Sequence, residues 1–127
     1  MKLRLHGNAL RLRLSQSEVA RFGEQGRIEE TVEFGPGMKL TYTLEIADEI
    51  GTPQAVYTNG SLLIQVPRTA SLEWVTTDRV GFSGGEHVSI TIEKDFQCLH
   101  GDESGDPDGF PNPLAEGPAT HHLPPTS

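Results

Sequence analysis

An apolar pattern recurs in this chain at a spacing of 52 residues, and it constrains the fold more than any other feature. Leu10, Leu12 and Leu14 alternate with Arg11 and Arg13, and Leu62, Ile64 and Val66 repeat that alternation 52 positions on. At the same spacing Ala20 and Phe22 fall on Leu72 and Trp74, and Arg27-Ile28 falls on Arg79-Val80. Few identities are shared, so the likeness lies in the pattern of burial it implies. Such a recurrence predicts a fold built from two similar halves.

Each half reads as strand, strand, helix, strand, strand. Leu3 and Leu5 alternate with Lys2 and Arg4, and a glycine-containing turn at His6-Gly7-Asn8 leads into the Leu10–Leu14 strand. This predicts a hairpin with one apolar and one basic face. Ser15 with Glu18 three residues later forms a capping box, and Gly26 marks the helix end. Ile28, Val32 and Phe34 share one face of a third strand, interrupted by Glu30, for which a bulge or an edge position would account. In the fourth, Leu40, Tyr42, Leu44 and Ile46 point inward and Thr41, Thr43 and Glu45 outward. Asn59-Gly60 is a hairpin turn signal in the second half. Pro67 suits a helix start with Thr69 as a cap, and Leu72, Trp74 and Val75 form the buried helical face. Strands at Arg79–Phe82 and Val88–Glu93 complete the pattern.

The fold expected is therefore mainly β (α+β). Duplicated ββαββ units, residues 1–48 and 53–95, would form a small pseudo-twofold barrel or a two-sheet sandwich. Residues 96–127 read as a separate, poorly structured acidic tail. From Phe96 onward the chain has five acidic residues, six prolines and no Lys or Arg, whereas 13 acidic and ten basic residues precede it. Roughly 95 residues are enough for a cooperative core.

Composition also narrows the function. A net charge of −8 argues against a general nucleic-acid binder, which needs cations for phosphate. One cysteine excludes an internal disulfide framework and a cysteine-rich zinc knuckle. No run approaches the roughly 20 apolar residues of a membrane span, and the alternating N-terminus reads as a strand, not a secretory signal. Cytoplasmic residence is the default, and a monomer or a homodimer covering its sheet edges is expected.

Two stretches carry a family resemblance. One is Met1-Lys2-Leu3-Arg4 with Gly7-Asn8 and Arg11-x-Arg13-Leu14-Ser15-Gln16-Ser17-Glu18-Val19. The other is Glu93-Lys94-Asp95-Phe96-x-Cys98-Leu99 with Phe110-Pro111-Asn112-Pro113. Together they resemble a small bacterial domain-of-unknown-function family of about this length. The resemblance runs from Met1 to Pro113 and implies a fold unit and a cytoplasmic bacterial protein, with no chemistry attached. The chain departs from that family at His100, where relatives often carry Asp, and in continuing past the Phe-Pro-Asn-Pro run.

Candidate chemistry is sparse. Cys98 and His100, two apart, present a thiolate and an imidazole that suit Zn, Cu or Ni, with Asp102 and Asp108 as oxygen ligands. The bland alternative is a packed cysteine beside a solvated histidine. A nucleophilic Cys98 is opposed by its acidic surroundings, which raise a thiol pKa. Lys2, Arg4, Arg11 and Arg13 form a basic face that would suit a phosphate group, an RNA or an acidic partner. Cross-strand pairing with Glu29, Glu33 or Glu45 is the simpler reading. Lys94 and Asp95 stand where the last strand leaves the sheet, and Phe110 is an aromatic anchor in the tail. These three are the predicted binding residues. The function expected is a non-catalytic binding or accessory module contacting a protein or a small ligand, and the alternative is metal binding through Cys98 and His100.

Overall fold

A computed structural model describes residues 1–96 and Phe110. Ten elements follow one another: β1 (Lys2–His6), β2 (Ala9–Leu14), α1 (Gln16–Gln25), β3 (Arg27–Gly35), β4 (Met38–Ala47), β5 (Gln54–Thr58), β6 (Ser61–Pro67), α2 (Arg68–Thr76), β7 (Gly81–Gly84) and β8 (Ser89–Lys94). The order predicted from alternation and turn signals is the order found.

The strands form two four-stranded sheets, β1-β2-β8-β7 and β3-β4-β6-β5. Every hairpin is antiparallel, and a parallel pair joins two hairpins at the centre of each sheet, β2 with β8 and β4 with β6. The fold is not a closed barrel. Each helix carries the chain from one sheet to the other, and among the described residues β1, β7, β3 and β5 are the edge strands. Charged residues on β1 and β3 suit exposed edges, because charge opposes pairing with another chain.

The core lies between the inner faces of the sheets and the two helices. Leu12, Leu14, Leu44, Ile64, Val66, Ile90 and Ile92 are fully buried, as are Phe22 of α1 and Trp74 of α2. These two rings meet edge to face at 6.2 Å, and Trp74 meets Phe82 in the same way at 5.7 Å. The Trp74 indole N–H donates to the Val80 carbonyl at 2.9 Å, so its one polar atom is satisfied within the core.

α1 is capped as expected. Glu18 Oε1 accepts from the Ser15 backbone N–H at 2.9 Å, and Gly26 adopts φ +74° at the C-terminus. α2 differs from expectation. Its N-cap is Pro67, which supplies no side-chain bond, and Thr69 lies inside the helix. Leu72 is exposed, and Ser71 takes the buried place beside Trp74, donating to the Pro67 carbonyl at 2.7 Å. That back-bond lets a hydroxyl enter the core without an unmet polar atom.

The 52-residue phase also slips after the helices. Ile28 opposes Leu44 in its hairpin, but Phe82, not Val80, opposes Ile92 in the other. Val80 is exposed. Thr43, expected outside, is buried within the central strand β4, between Glu29 and Leu63 in the register. Val32 and Phe34 are exposed on the long β3–β4 hairpin. Among the described residues, no helix is long and apolar enough to cross a membrane.

Candidate functional site

The two stretches that carry the family resemblance meet in space. The α-ammonium of Met1 is buried and bonded to the carboxylates of Glu18, on α1, and Glu30, on β3, the latter at 2.5 Å. The Tyr42 hydroxyl donates to the Met1 carbonyl at 3.0 Å. Glu30 interrupts the apolar face of β3 because an ammonium, not a hydrocarbon, lies opposite it. Burial works to raise the Glu18 carboxyl, but the Met1 ammonium and the Ser15 N–H outweigh it and hold the group below its usual range. Burial, with the negative charges of Glu30 and Glu18, pushes the Tyr42 phenol up.

One residue along, Lys2 Nζ lies 2.7 Å from Asp95 Oδ2. Asp95 is buried; its N–H donates to the Leu14 carbonyl at 2.9 Å and its carbonyl accepts from the Phe110 N–H at 2.7 Å. Phe110 forms a bridge with Phe96, the rings edge to face at 6.0 Å. Lys94 is buried too. Its ammonium donates to the Thr77 carbonyl at 2.8 Å and stands 5.3 Å from the centre of the Phe110 ring. Burial pulls the Lys94 pKa down, opposed by the charge of Asp78.

The structure thus brings together Lys94, Asp95 and Phe110. Each is engaged with the body or with another of the three. Cys98, His100, Asp102 and Asp108 lie outside the described residues. Among the described residues, no cluster of three or more His, Cys, Asp or Glu could hold a metal ion.

The outer face of the first sheet is arranged in rows. The register sets His6 beside Ala9 beside Ser89, then Arg4 beside Arg11 beside Thr91, then Lys2 beside Arg13 beside Glu93. The third row is balanced: Lys2 pairs with Asp95, and Arg13 Nε lies 2.6 Å from Glu93 Oε2. The middle row holds no carboxylate. Arg11 Nε reaches only to 3.6 Å from the Glu93 oxygen that Arg13 already holds, and Arg4 has no ion pair among the described residues. Arg4, His6, Ala9, Arg11, Ser89 and Thr91, together with Leu5 and Leu10, line a depression of about 460 Å³.

The basic face was legible from alternation alone, but its carboxylate partners were not. Glu93 and Asp95 take the role expected of Glu29, Glu33 or Glu45, because β8, and not β3 or β4, lies beside β2. Glu29 pairs with Arg27 instead. Ser89 and Thr91 alternate with Ile90 and Ile92, so their outward direction was readable, but not the arginines beside them.

A family model described as a family of unknown function, DUF7009, matches residues 1–114. The chain belongs to that family. The DUF7009 stretch takes in both clusters, including Phe110. No curated protein matches the chain, and no solved structure does.

Proposed function

We propose that this chain is a non-catalytic binding module whose recognition surface is the outer face of the first sheet. The observation that carries the reading is the pairing of like charges, Lys2 opposite Arg13 and Arg4 opposite Arg11 across β1 and β2. Like charges directly opposite one another destabilise a sheet. Two of the four cations are offset by Glu93 and Asp95. Among the described residues the other two have only a share of Glu93, at 3.6 Å from Arg11, which leaves a local positive surplus on a chain whose net charge is −8. An anionic ligand or partner would complete that face.

In this reading Lys94 and Asp95 serve the module by holding Phe110 against the body. The two ββαββ halves are duplicated units, each lending one hairpin to each sheet. Relabelling β1, β2, β8, β7 as β5, β6, β4, β3 turns one strand order into the other, which supports a pseudo-twofold relation.

The test is anion binding by the full chain. Inorganic phosphate, citrate and a labelled oligoglutamate are titrated at constant ionic strength into the wild type and into the Arg4→Gln/Arg11→Gln double variant. Saturable binding of any of them, weakened in the variant, is expected. Wild type that binds none of them sinks the proposal. Metal analysis of untagged protein and of Cys98→Ser accompanies it; a stoichiometric metal lost in the variant would shift the reading to Cys98 and His100.

A further inference from the structure

We infer that the depression in the middle of this face is a site for the phosphate group of a small phosphomonoester, an assignment that rests on the binding reading above. Charge comes first. Arg4 and Arg11 face each other across β1 and β2, and among the described residues the one carboxylate paired with either is Glu93, already held by Arg13 at 2.6 Å. Arg4, without an ion pair among the described residues, and Arg11, with only a share of Glu93, call for a dianion. A phosphomonoester carries about −1.5 to −2 near neutral pH, whereas a single carboxylate carries half that.

Donor geometry agrees. A guanidinium offers a fork of N–H groups matched to phosphate oxygens, and two of them line the same hollow. Thr91 follows Arg11 in the same row, and Ser89 stands in the next. Among the described residues neither hydroxyl is bonded to another side chain. His6 lines the same hollow. Shape is the last point. Ala9 and Ser89 are the small residues of their row, and the hollow lies over them. At about 460 Å³ it exceeds a phosphate ion, and it lies open to solvent. The phosphoryl group would sit between Arg4 and Arg11, with the rest of the ligand over the Ala9–Ser89 row.

The test is a titration of the full chain followed by amide and arginine Nε–H resonances. Inorganic phosphate, glucose 6-phosphate, glucose, acetate and oligoglutamate serve as probes at constant ionic strength. Both phosphate probes should shift Arg4, Arg11, Ser89 and Thr91 saturably, and glucose should not. Arg4→Gln and Arg11→Gln should each weaken binding by roughly tenfold, the scale of a lost charge-assisted hydrogen bond. Arg27→Gln, on the other sheet, should leave it unchanged. Glu93→Gln should tighten it, because the competing carboxylate is gone; damage to the fold would do the opposite. Acetate or oligoglutamate binding more tightly than phosphate would overturn the phosphate assignment and leave the binding module standing. No saturable shift with any of these probes or with citrate would overturn both.

Discussion

Glu18 shows how much one side chain can hold. One carboxylate oxygen accepts the Ser15 N–H at the start of α1, and the other meets the Met1 ammonium. The first contact could be read from the Ser-x-x-Glu spacing; the second joins residues 17 apart through the fold and could not. Because the folded carboxyl titrates below its usual value, it contributes stability that is present above the unfolded pKa, about 4.3, and is lost as pH falls through the lower folded value. Thermal melts should therefore show a steep acid limb that flattens in Glu18→Gln. An unchanged limb would mean that another carboxylate governs acid unfolding. Lys94 is shifted in the same direction, but by a penalty on its charged form and not by a favourable contact. Its pKa is depressed by burial, so its contribution improves as pH rises toward the unfolded lysine value.

At the scale of elements, local chemistry and tertiary packing divide the work unevenly. α1 carries its own start and stop signals, whereas α2 begins at a proline that gives no side-chain bond and shows an exposed Leu72. A helix of nine residues without a side-chain cap has little intrinsic stability, so α2 depends on burying Trp74 and Ser71. The β5–β6 turn is the reverse case. Asn59 and Gly60 have φ +48° and +79°, the left-handed pair that a two-residue hairpin needs. A Cβ at Gly60 would also come within 2.8 Å of the Lys39 carbonyl oxygen. Gly60→Ala should cost roughly 1–3 kcal/mol, from backbone strain and that contact together. Urea denaturation measures it, and a loss below about 0.5 kcal/mol, the range of ordinary surface changes, would contradict the argument.

The whole molecule is closed by contacts between residues far apart in sequence. Lys2 with Asp95, and Lys94 with Phe110, tie the first strand and the last to the aromatic pair Phe96–Phe110. Phe110→Ala removes the edge-to-face contact and uncovers the Lys94 ammonium. The expected loss is about 1–3 kcal/mol, less than for a fully buried aromatic because Phe110 is half-buried. Trp74, the only tryptophan and wholly buried, reports the unfolding midpoint by its fluorescence. A midpoint that does not move would show that this fastening adds nothing to the fold.

Period-two alternation, the capping box, Gly26 and Asn59-Gly60 act within a few residues of chain. They determined by themselves where the first helix and the strands lie, apart from β7, which is found two residues later than its pattern predicts. Membership of a family of unknown function over nearly the whole of residues 1–114 was legible as well. The side-by-side placement of β2 with β8 and of β4 with β6 was decided only in three dimensions. Parallel strands share no turn, and nothing local in either partner specifies the other. That pairing excluded the closed barrel, chose Glu93 as the partner of Arg13, and set Thr91 beside Arg11 to build the basic hollow. The elements follow from local sterics and hydrogen bonding; the site follows from how the hydrophobic faces of distant hairpins are buried together.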